Sequence, residues 1–207
     1  MKIEDINAIK VCDISLNERA ADRRLWDINW VENISNDILT QKNGRCYFIV
    51  VNSEIYKIGY SDQIGGIKAT IESYKSSGNS GRPSDRTHGI HVLIAEELVR
   101  GNTVEFYFSY NENIEVELTL MDGTKKIINE SISGKILETE NMKIYLSVEG
   151  VHPIWNLQEA GKPWPDYLQE SRRVLLTGVP TTLDIIKQRV LPGVREDKLD
   201  KLGINDV

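Results

Sequence analysis

The sequence is poor in the residues and stretches that mark several protein classes. It has only two cysteines among 207 residues, Cys12 and Cys46, which is too few for a disulfide framework and lacks metal-ligand spacing, so we expect reduced, buried thiols. No apolar stretch approaches the roughly 18 residues that a membrane helix needs. The N-terminus, MKIEDINAIK, has no hydrophobic signal region. These absences predict a cytoplasmic protein that does not span a membrane.

Familiar catalytic and nucleotide-binding motifs are also missing. There is no glycine-rich phosphate loop ending in Lys-Ser/Thr, no His-Glu-x-x-His and no Gly-x-Ser-x-Gly. The three histidines, His88, His91 and His152, are too scattered to indicate a metal cluster. The net charge of −6 disfavours nonspecific binding to polyanions, because phosphate contacts need clustered Lys and Arg. A local basic face on an acidic protein is still compatible with nucleic-acid binding.

The N-terminal part of the chain is predicted to be mainly helical. Ser15 and Glu18 have the spacing of a capping box, and apolar residues follow at Ala20, Ala21 and Leu25. Residues 35–39 are predicted to form a turn or a short helix. We therefore expect a helical N-terminal extension over residues 1–44.

The remainder of the chain alternates between strand and helix patterns. Residues 135–148 fit either a helix or a strand, and we favour a helix to about residue 146. The Asp122-Gly123 pair predicts a two-residue hairpin turn. Predicted strands cover 46–51, 55–60, 104–110, 114–120 and 125–129, and predicted helices cover 61–74, 91–99, 135–146, 166–174 and 181–190. The order indicates an α+β fold with a small antiparallel sheet flanked by helices, a core over 45–160 and a helical C-terminal extension over 161–207.

Residues 46–61, CYFIVVNSEIYKIGYS, contain the most informative pattern. Two apolar runs flank Asn52-Ser53-Glu54, a sequence typical of a short turn. In such a hairpin Tyr47 and Lys57 lie near one another on one face. An ammonium beside a phenol favours the phenolate, which is a competent general base. Taken alone, however, Tyr47 is typical of a core aromatic and Lys57 of a solvated strand face.

This stretch resembles the start of the GIY-YIG nuclease family, which has two such strands about ten residues apart. The first element corresponds to Cys46-Tyr47-Phe48-Ile49 and the second to Lys57-Ile58-Gly59. A Lys in place of the second Tyr is similar to a variant seen in restriction-enzyme members. The resemblance covers roughly residues 45–160 and implies a metal-dependent endonuclease, of type II restriction-like character, that acts on double-stranded DNA.

Further landmarks of the family fall in the same order along the chain. Glu138, in Lys-Ile-Leu-Glu, stands where the family has a metal-binding Glu, although Glu140 and Glu149 are rivals. Pro153-Ile154-Trp155-Asn156 matches the closing segment. The resemblance implies that Tyr47 activates water, that Lys57 supports the phenolate or the phosphate, that Glu138 holds Mg²⁺ or Mn²⁺, and that Asn156 orients the site.

One family landmark is missing. The family places an Arg on the helix after the second strand, but here the matching place holds Ile67-Lys68. The alternatives for contacting the phosphate are Lys68, or Arg82 and Arg86 in the loop SSGNSGRPSDRT. That loop is either an ordinary surface loop or a DNA-contacting loop beside the active site. His88 is either a further phosphate contact or a helix-capping or core residue.

Three functional interpretations remain open. The first is the endonuclease, for which a homodimer would let two single sites cut both strands. The second is a noncatalytic nucleic-acid-binding or assembly protein on a degenerate version of this fold, favoured by the missing Arg. The third is an unrelated α+β binding domain with structural Tyr and Lys residues. The hairpin around Asp122-Gly123, with Lys125 and Lys126, is either a groove-reading ribbon or a charged, exposed sheet edge.

Overall fold

A computed structural model describes residues 1–19, 24–77, 82–111 and 113–191. Its strands are β1 (Ile9–Leu16), β2 (Trp26–Trp30), β3 (Arg45–Val51), β4 (Glu54–Ser61), β5 (Val104–Tyr110), β6 (Ile114–Thr119) and β7 (Lys125–Glu130). The first five form an antiparallel sheet in the order β2-β1-β5-β3-β4, and β6 and β7 form a separate two-stranded ribbon. Strand β4 is therefore an edge of the main sheet.

Helices flank this sheet, which confirms the predicted α+β class. They are α1 (Asn36–Thr40), α2 (Gly66–Ser76), α3 (Asp85–Val99), α4 (Gly134–Glu149), α5 (Asp166–Leu176) and α6 (Leu183–Val190). The helical alternative for residues 135–148 is confirmed by α4, and α5 and α6 confirm the two predicted C-terminal helices. Within the described ranges, no helix has both the length and the apolar character needed to cross a membrane.

The prediction that residues 1–40 are mainly helical is wrong. Strand β1 runs through Ser15, the expected helix cap, and β2 covers residues 26–30. The β-branched residues of β1 and the tryptophans of β2 favour strand, and pairing within the sheet outweighs the local capping pattern. Ala20 and Ala21 lie outside the described residues. Helix α1, capped by the Ser35 hydroxyl, is helical as expected, and Ile3–Asp5 form a single 3-10 turn.

Tertiary contacts divide the chain into two compact units, each made of three separate segments. Unit 1 contains residues 1–13, 30–72 and 105–162, and unit 2 contains residues 14–29, 73–104 and 163–207. The β3–β4 hairpin, the β6–β7 ribbon and α4 belong to unit 1. Helices α3, α5 and α6 belong to unit 2.

The core of unit 1 lies where α4 packs against one face of the β3–β4 hairpin. Its buried members are Cys46, Phe48, Val50, Ile55, Ile58, Met142 and Tyr145. Burial raises the pKa of the Cys46 thiol, and that of Cys12 in β1. Both thiols are free and buried, as the sequence predicted. The residues of β3 that alternate with this set, among them Tyr47 and Ile49, point to the other face.

Both predicted hairpins are present, but their turns differ. Asn52 and Ser53 have positive φ values of 48° and 69°, as in a type I′ turn, so the predicted short turn is confirmed. The second connection is longer than the predicted two-residue turn. The Leu120 amide donates to Thr124 and the Gly123 amide donates to Leu120, which leaves three residues between the paired positions.

Unit 2 is held together by a buried carboxylate on α3. Glu96 is 3% exposed and forms an ion pair with Arg189 of α6 at 2.5 Å. It also accepts a hydrogen bond from the Tyr167 hydroxyl of α5 at 3.2 Å, and the Arg189 guanidinium lies 4.4 Å from the centre of the Tyr167 ring. Because an unpaired buried charge is strongly destabilising, this network ties three helices together.

A buried histidine lies on the same helix. His91 is fully buried and its Nδ1–H donates to the Tyr74 carbonyl at 3.0 Å, while its carbonyl accepts from Trp26 Nε1. Burial, assisted by the neighbouring His88, lowers the pKa of His91 to about 3, against the opposing effect of the Tyr74 hydrogen bond. His91 is therefore neutral in the folded protein at neutral pH.

This neutral histidine predicts a stability that falls in acid. Between about pH 6.5 and pH 3 the unfolded chain binds a proton at His91 that the folded chain does not, so unfolding becomes easier by up to about 1.4 kcal/mol per pH unit. His91→Gln removes this proton and should flatten the slope of unfolding free energy against pH, measured by urea denaturation. Equal slopes for the two proteins would contradict the assignment.

Candidate active site

The centre of the candidate site is the close packing of Tyr47 on Gly59. The two residues are cross-strand partners in the β3–β4 hairpin. A Cβ atom built on Gly59 would lie 2.4 Å from both Cζ and Oη of Tyr47. The end of the phenol therefore rests directly on the glycine backbone, and no side chain larger than hydrogen fits beneath it.

Lys57 lies beside this pair on the same face of the sheet. Its cross-strand partner is Ile49, so Tyr47 and Lys57 are diagonal neighbours. Lys57 is 1% exposed, although lysine is almost never fully buried. The solvated-face alternative for Lys57 is therefore wrong.

Asn156 holds the outer edge of β4. Its Oδ1 accepts from the Ile58 amide at 2.8 Å and its Nδ2 donates to the Ile58 carbonyl at 2.7 Å. The Trp155 amide donates to the Tyr56 carbonyl at 2.8 Å. Asn156 is fully buried, and these bonds satisfy backbone groups that an edge strand would otherwise leave open. Its contact is with the strand that carries Lys57 and Gly59.

Glu138 is the buried carboxylate of α4. It is 3% exposed, and its Oε2 accepts from Lys135 Nζ at 2.5 Å. The same ammonium lies 5.2 Å from the centre of the Tyr60 ring, and Tyr60 is the residue after Gly59 in β4. The sequence pattern did not single out Lys135, although its spacing of three residues before Glu138 is typical of a helical ion pair.

The two rival carboxylates of α4 are placed differently. Glu140 is exposed and pairs with Lys143, and Glu149 pairs with the N-terminal amine. Glu138 is thus the one of the three that is buried near the hairpin.

These contacts converge on four consecutive residues of the edge strand β4. Asn156 binds Ile58, Tyr47 rests on Gly59, and Glu138 reaches Tyr60 through Lys135. With Lys57, the set extends over residues 57–60, a length of about 10 Å at about 3.3 Å per residue. Glu138 comes from the helix that packs on one face of the hairpin, whereas Tyr47 and Lys57 belong to the opposite face, so the groups adjoin the strand from both sides.

The donor set suits a hard divalent cation with few protein ligands. Within the described ranges, no group of three or more His, Cys, Asp or Glu residues is arranged to hold a metal. A single carboxylate does not suffice for zinc or for a calcium cage. Mg²⁺ is commonly bound by one or two carboxylates together with water and substrate phosphates. Glu138 fits this second arrangement, provided that Lys135 gives up its ion pair.

The cations proposed to contact phosphate are divided between the units. Lys68 lies half-buried on α2 within unit 1. Arg82 and Arg86 are exposed and belong to unit 2. Helix α3 begins at Asp85, so Arg86 lies in its first turn rather than in the loop where the sequence placed it. Residues 78–81 of that loop lie outside the described residues.

His88 is a core residue of unit 2. It is fully buried, and its Nε2 lies 2.9 Å from the Ser171 hydroxyl. Burial lowers the pKa of His88, against a weaker opposing contribution from the Ser77 carbonyl. This placement supports the core alternative over a phosphate contact, because both ring nitrogens face partners within unit 2, Nδ1 the Ser77 carbonyl and Nε2 the Ser171 hydroxyl.

Comparison with known proteins gives several distant structural similarities. No family model matches the sequence, and no curated protein matches it either. A mutant of bacteriophage T4 EndoII is 21% identical, with 74% of this chain and 94% of that chain covered and a TM-score of 0.46. Restriction endonuclease HPY188I in complex with product DNA is 21% identical, with 74% of this chain and 84% of that chain covered and a TM-score of 0.39.

The contact between Tyr47 and Gly59 predicts a coupled pair of substitutions. Gly59→Ala forces the phenol off the strand, so the free energy of unfolding should fall by about 1–3 kcal/mol, as for other overpacked sites. In a Tyr47→Ala background the added methyl group meets no phenol, so Gly59→Ala should lower the free energy of unfolding much less. Urea denaturation of the four proteins gives the coupling free energy, and additive effects would contradict the contact.

Proposed function

We propose that this chain is a metal-dependent endonuclease that hydrolyses DNA phosphodiester bonds, of type II restriction-like character. The observation that carries the proposal is the convergence of Tyr47, buried Lys57, Asn156 and Glu138 on residues 57–60 of β4. The resemblance of Cys46-Tyr47-Phe48-Ile49 and Lys57-Ile58-Gly59 to the GIY-YIG elements supports the same chemistry. Double-stranded DNA is the proposed substrate, and Mg²⁺ or Mn²⁺ the proposed cofactor.

Tyr47 is the proposed general base. The buried ammonium of Lys57 favours the phenolate form of a neighbouring phenol, because opposite charge is felt more strongly away from water. The Tyr47 phenolate, packed on Gly59, would take a proton from the attacking water. Gly59 contributes no side chain beneath the phenol, which is itself 3% exposed, and Asn156 keeps the strand beneath it in register.

Glu138 is the proposed metal ligand. A bound divalent cation would supply Lewis-acid stabilisation of the scissile phosphate and the leaving oxygen. Lys135 would leave the carboxylate and remain close by as an additional positive charge for a phosphate. Lys68 is the proposed cation of unit 1 that offsets charge developing on the phosphate, and Arg82 and Arg86 are the proposed alternatives.

A second candidate function rests on the same carboxylate. The Lys135 ammonium already neutralises Glu138, and the expected helix Arg is replaced by Lys68. Both features favour a noncatalytic nucleic-acid-binding or assembly protein on a degenerate version of this fold. The two candidates differ in a single measurable property, which is metal-dependent strand cleavage.

Cleavage of supercoiled plasmid tests the proposal. The wild-type protein should nick or linearise DNA with Mg²⁺ or Mn²⁺ and not with EDTA. Tyr47→Phe and Glu138→Gln should each lower the rate by about 100-fold or more, since a general base alone contributes about 10²–10⁴-fold. Glu140→Gln is the matched control, because this exposed carboxylate lies two residues further along α4, and its rate should stay within about twofold of wild type.

Metal binding gives a readout that does not depend on cleavage. Titration calorimetry with Mn²⁺ should show one site in the wild-type protein and in Glu140→Gln, and none in Glu138→Gln. Binding of duplex DNA without cleavage by any variant would favour the noncatalytic candidate. Equal cleavage by wild type, Tyr47→Phe and Glu138→Gln would overturn the site assignment.

A further inference from the structure

The β6–β7 ribbon has one face that is apolar and partly exposed. Its cross-strand pairs place Ile114, Val116, Leu118 and Ile128 on this side, which we call the apolar face. Ile114 and Leu118 are 47% and 38% exposed, and Val116 and Ile128 are half-buried. A two-stranded ribbon is marginally stable in water unless it packs against something else. The apolar face is therefore a surface that a partner would stabilise.

Charges at the ends of the apolar face restrict what that partner is. Lys126 pairs across the ribbon with Leu118, and Glu130 pairs with Ile114, so both charges lie on the same side as the apolar residues. Among the described residues neither has an ion-pair partner, whereas Lys125 on the other side pairs with Glu117 at 2.7 Å. On the apolar face, β7 thus has a positive charge near one end, a negative charge at the other, and Ile128 between them.

This arrangement is complementary to itself. Consider two copies whose apolar faces meet about a two-fold axis that is perpendicular to the strands and passes over the Val116–Ile128 pair. Strand β7 of one copy then lies over β7 of the second copy and runs in the opposite direction. Lys126 then faces Glu130 of the second copy, and Ile128 faces itself. On β6, Ile114 faces Leu118 and Val116 faces itself. An axis parallel to the strands would instead place Leu118 against Lys126.

Duplex DNA fits this ribbon less well. Residues 114–130 contain four acidic residues, Glu115, Glu117, Asp122 and Glu130, and two basic ones, Lys125 and Lys126, for a net charge of −2. Phosphate contacts require the opposite balance. We propose that the apolar face is a self-association surface that binds a second copy of this chain through this two-fold arrangement. The proposal is independent of the nuclease assignment, because it uses no residue of the candidate active site.

The expected association is weak, because the face is small. Stable interfaces bury at least about 1,200 Å², and a ribbon of six residues per strand offers less. Sedimentation velocity without DNA or divalent metal should show a reversible monomer–dimer equilibrium with a Kd of about 10–100 μM. A wild-type protein that stays monomeric to millimolar concentration would overturn the proposal.

Charge exchange tests the specific arrangement. Lys126→Glu alone and Glu130→Lys alone each create like-charge contacts across the two-fold axis, and each should weaken dimerisation by about 10-fold or more. The double variant, with both changes, restores opposite charges and should recover dimerisation to within a few-fold of wild type. Failure of the double variant to recover would rule out this axis, since surface charge changes seldom disturb folding.

Two matched substitutions, one on each side of the ribbon, test which side mediates the association. Val116→Lys, on the apolar face, should abolish dimerisation. Ile127→Lys, on the opposite side and 64% exposed, should leave the equilibrium unchanged. Equal effects of the two changes would contradict the proposal. Loss of duplex binding by Lys126→Glu, with the oligomeric state unaltered, would assign the ribbon to DNA instead.

Discussion

The packing of the Tyr47 phenol on the Gly59 backbone is the constraint on which the candidate site depends. It requires the β3–β4 register to be held to the residue, because a slip of one position would send Tyr47 to the α4 face. The positive-φ turn at Asn52 and Ser53 sets the pairing next to the turn, and a β-bulge between Ile49 and Val50 then shifts the register by one residue, so that Tyr47 pairs with Gly59. The Asn156 amide, bonded on both sides to Ile58, secures it from the outer edge.

An edge strand is an unusual place for buried charge, and β4 has a buried charged residue adjoining each of its two faces. Lys57 is buried on one side of β4, and Glu138 is buried on the helix that covers the other. Burial makes each of them sensitive to the other charges and to a bound phosphate.

Local signals allowed much of the fold and part of the site to be predicted. The β3–β4 hairpin, α4 and the C-terminal helices follow from short-range periodicity and turn residues. Strands β1 and β2 were missed because they depend on pairing with distant segments, which overrides the cap pattern at Ser15. Burial of Lys57, and of Glu138 rather than Glu140, is decided by tertiary packing. The alternation of side chains along a strand predicts which face a residue lies on, but it does not predict which other element covers that face.

The most direct test of the account is to locate a paramagnetic ion on the protein by nuclear magnetic resonance. Substoichiometric Mn²⁺ should selectively broaden the backbone amide signals of Gly59, Tyr60 and Glu138, and leave those of the β6–β7 ribbon tip at Met121 and Asp122 sharp. Glu138→Gln should abolish this broadening. Broadening centred elsewhere, or unchanged in Glu138→Gln, would show that the groups gathered along β4 do not form a metal site.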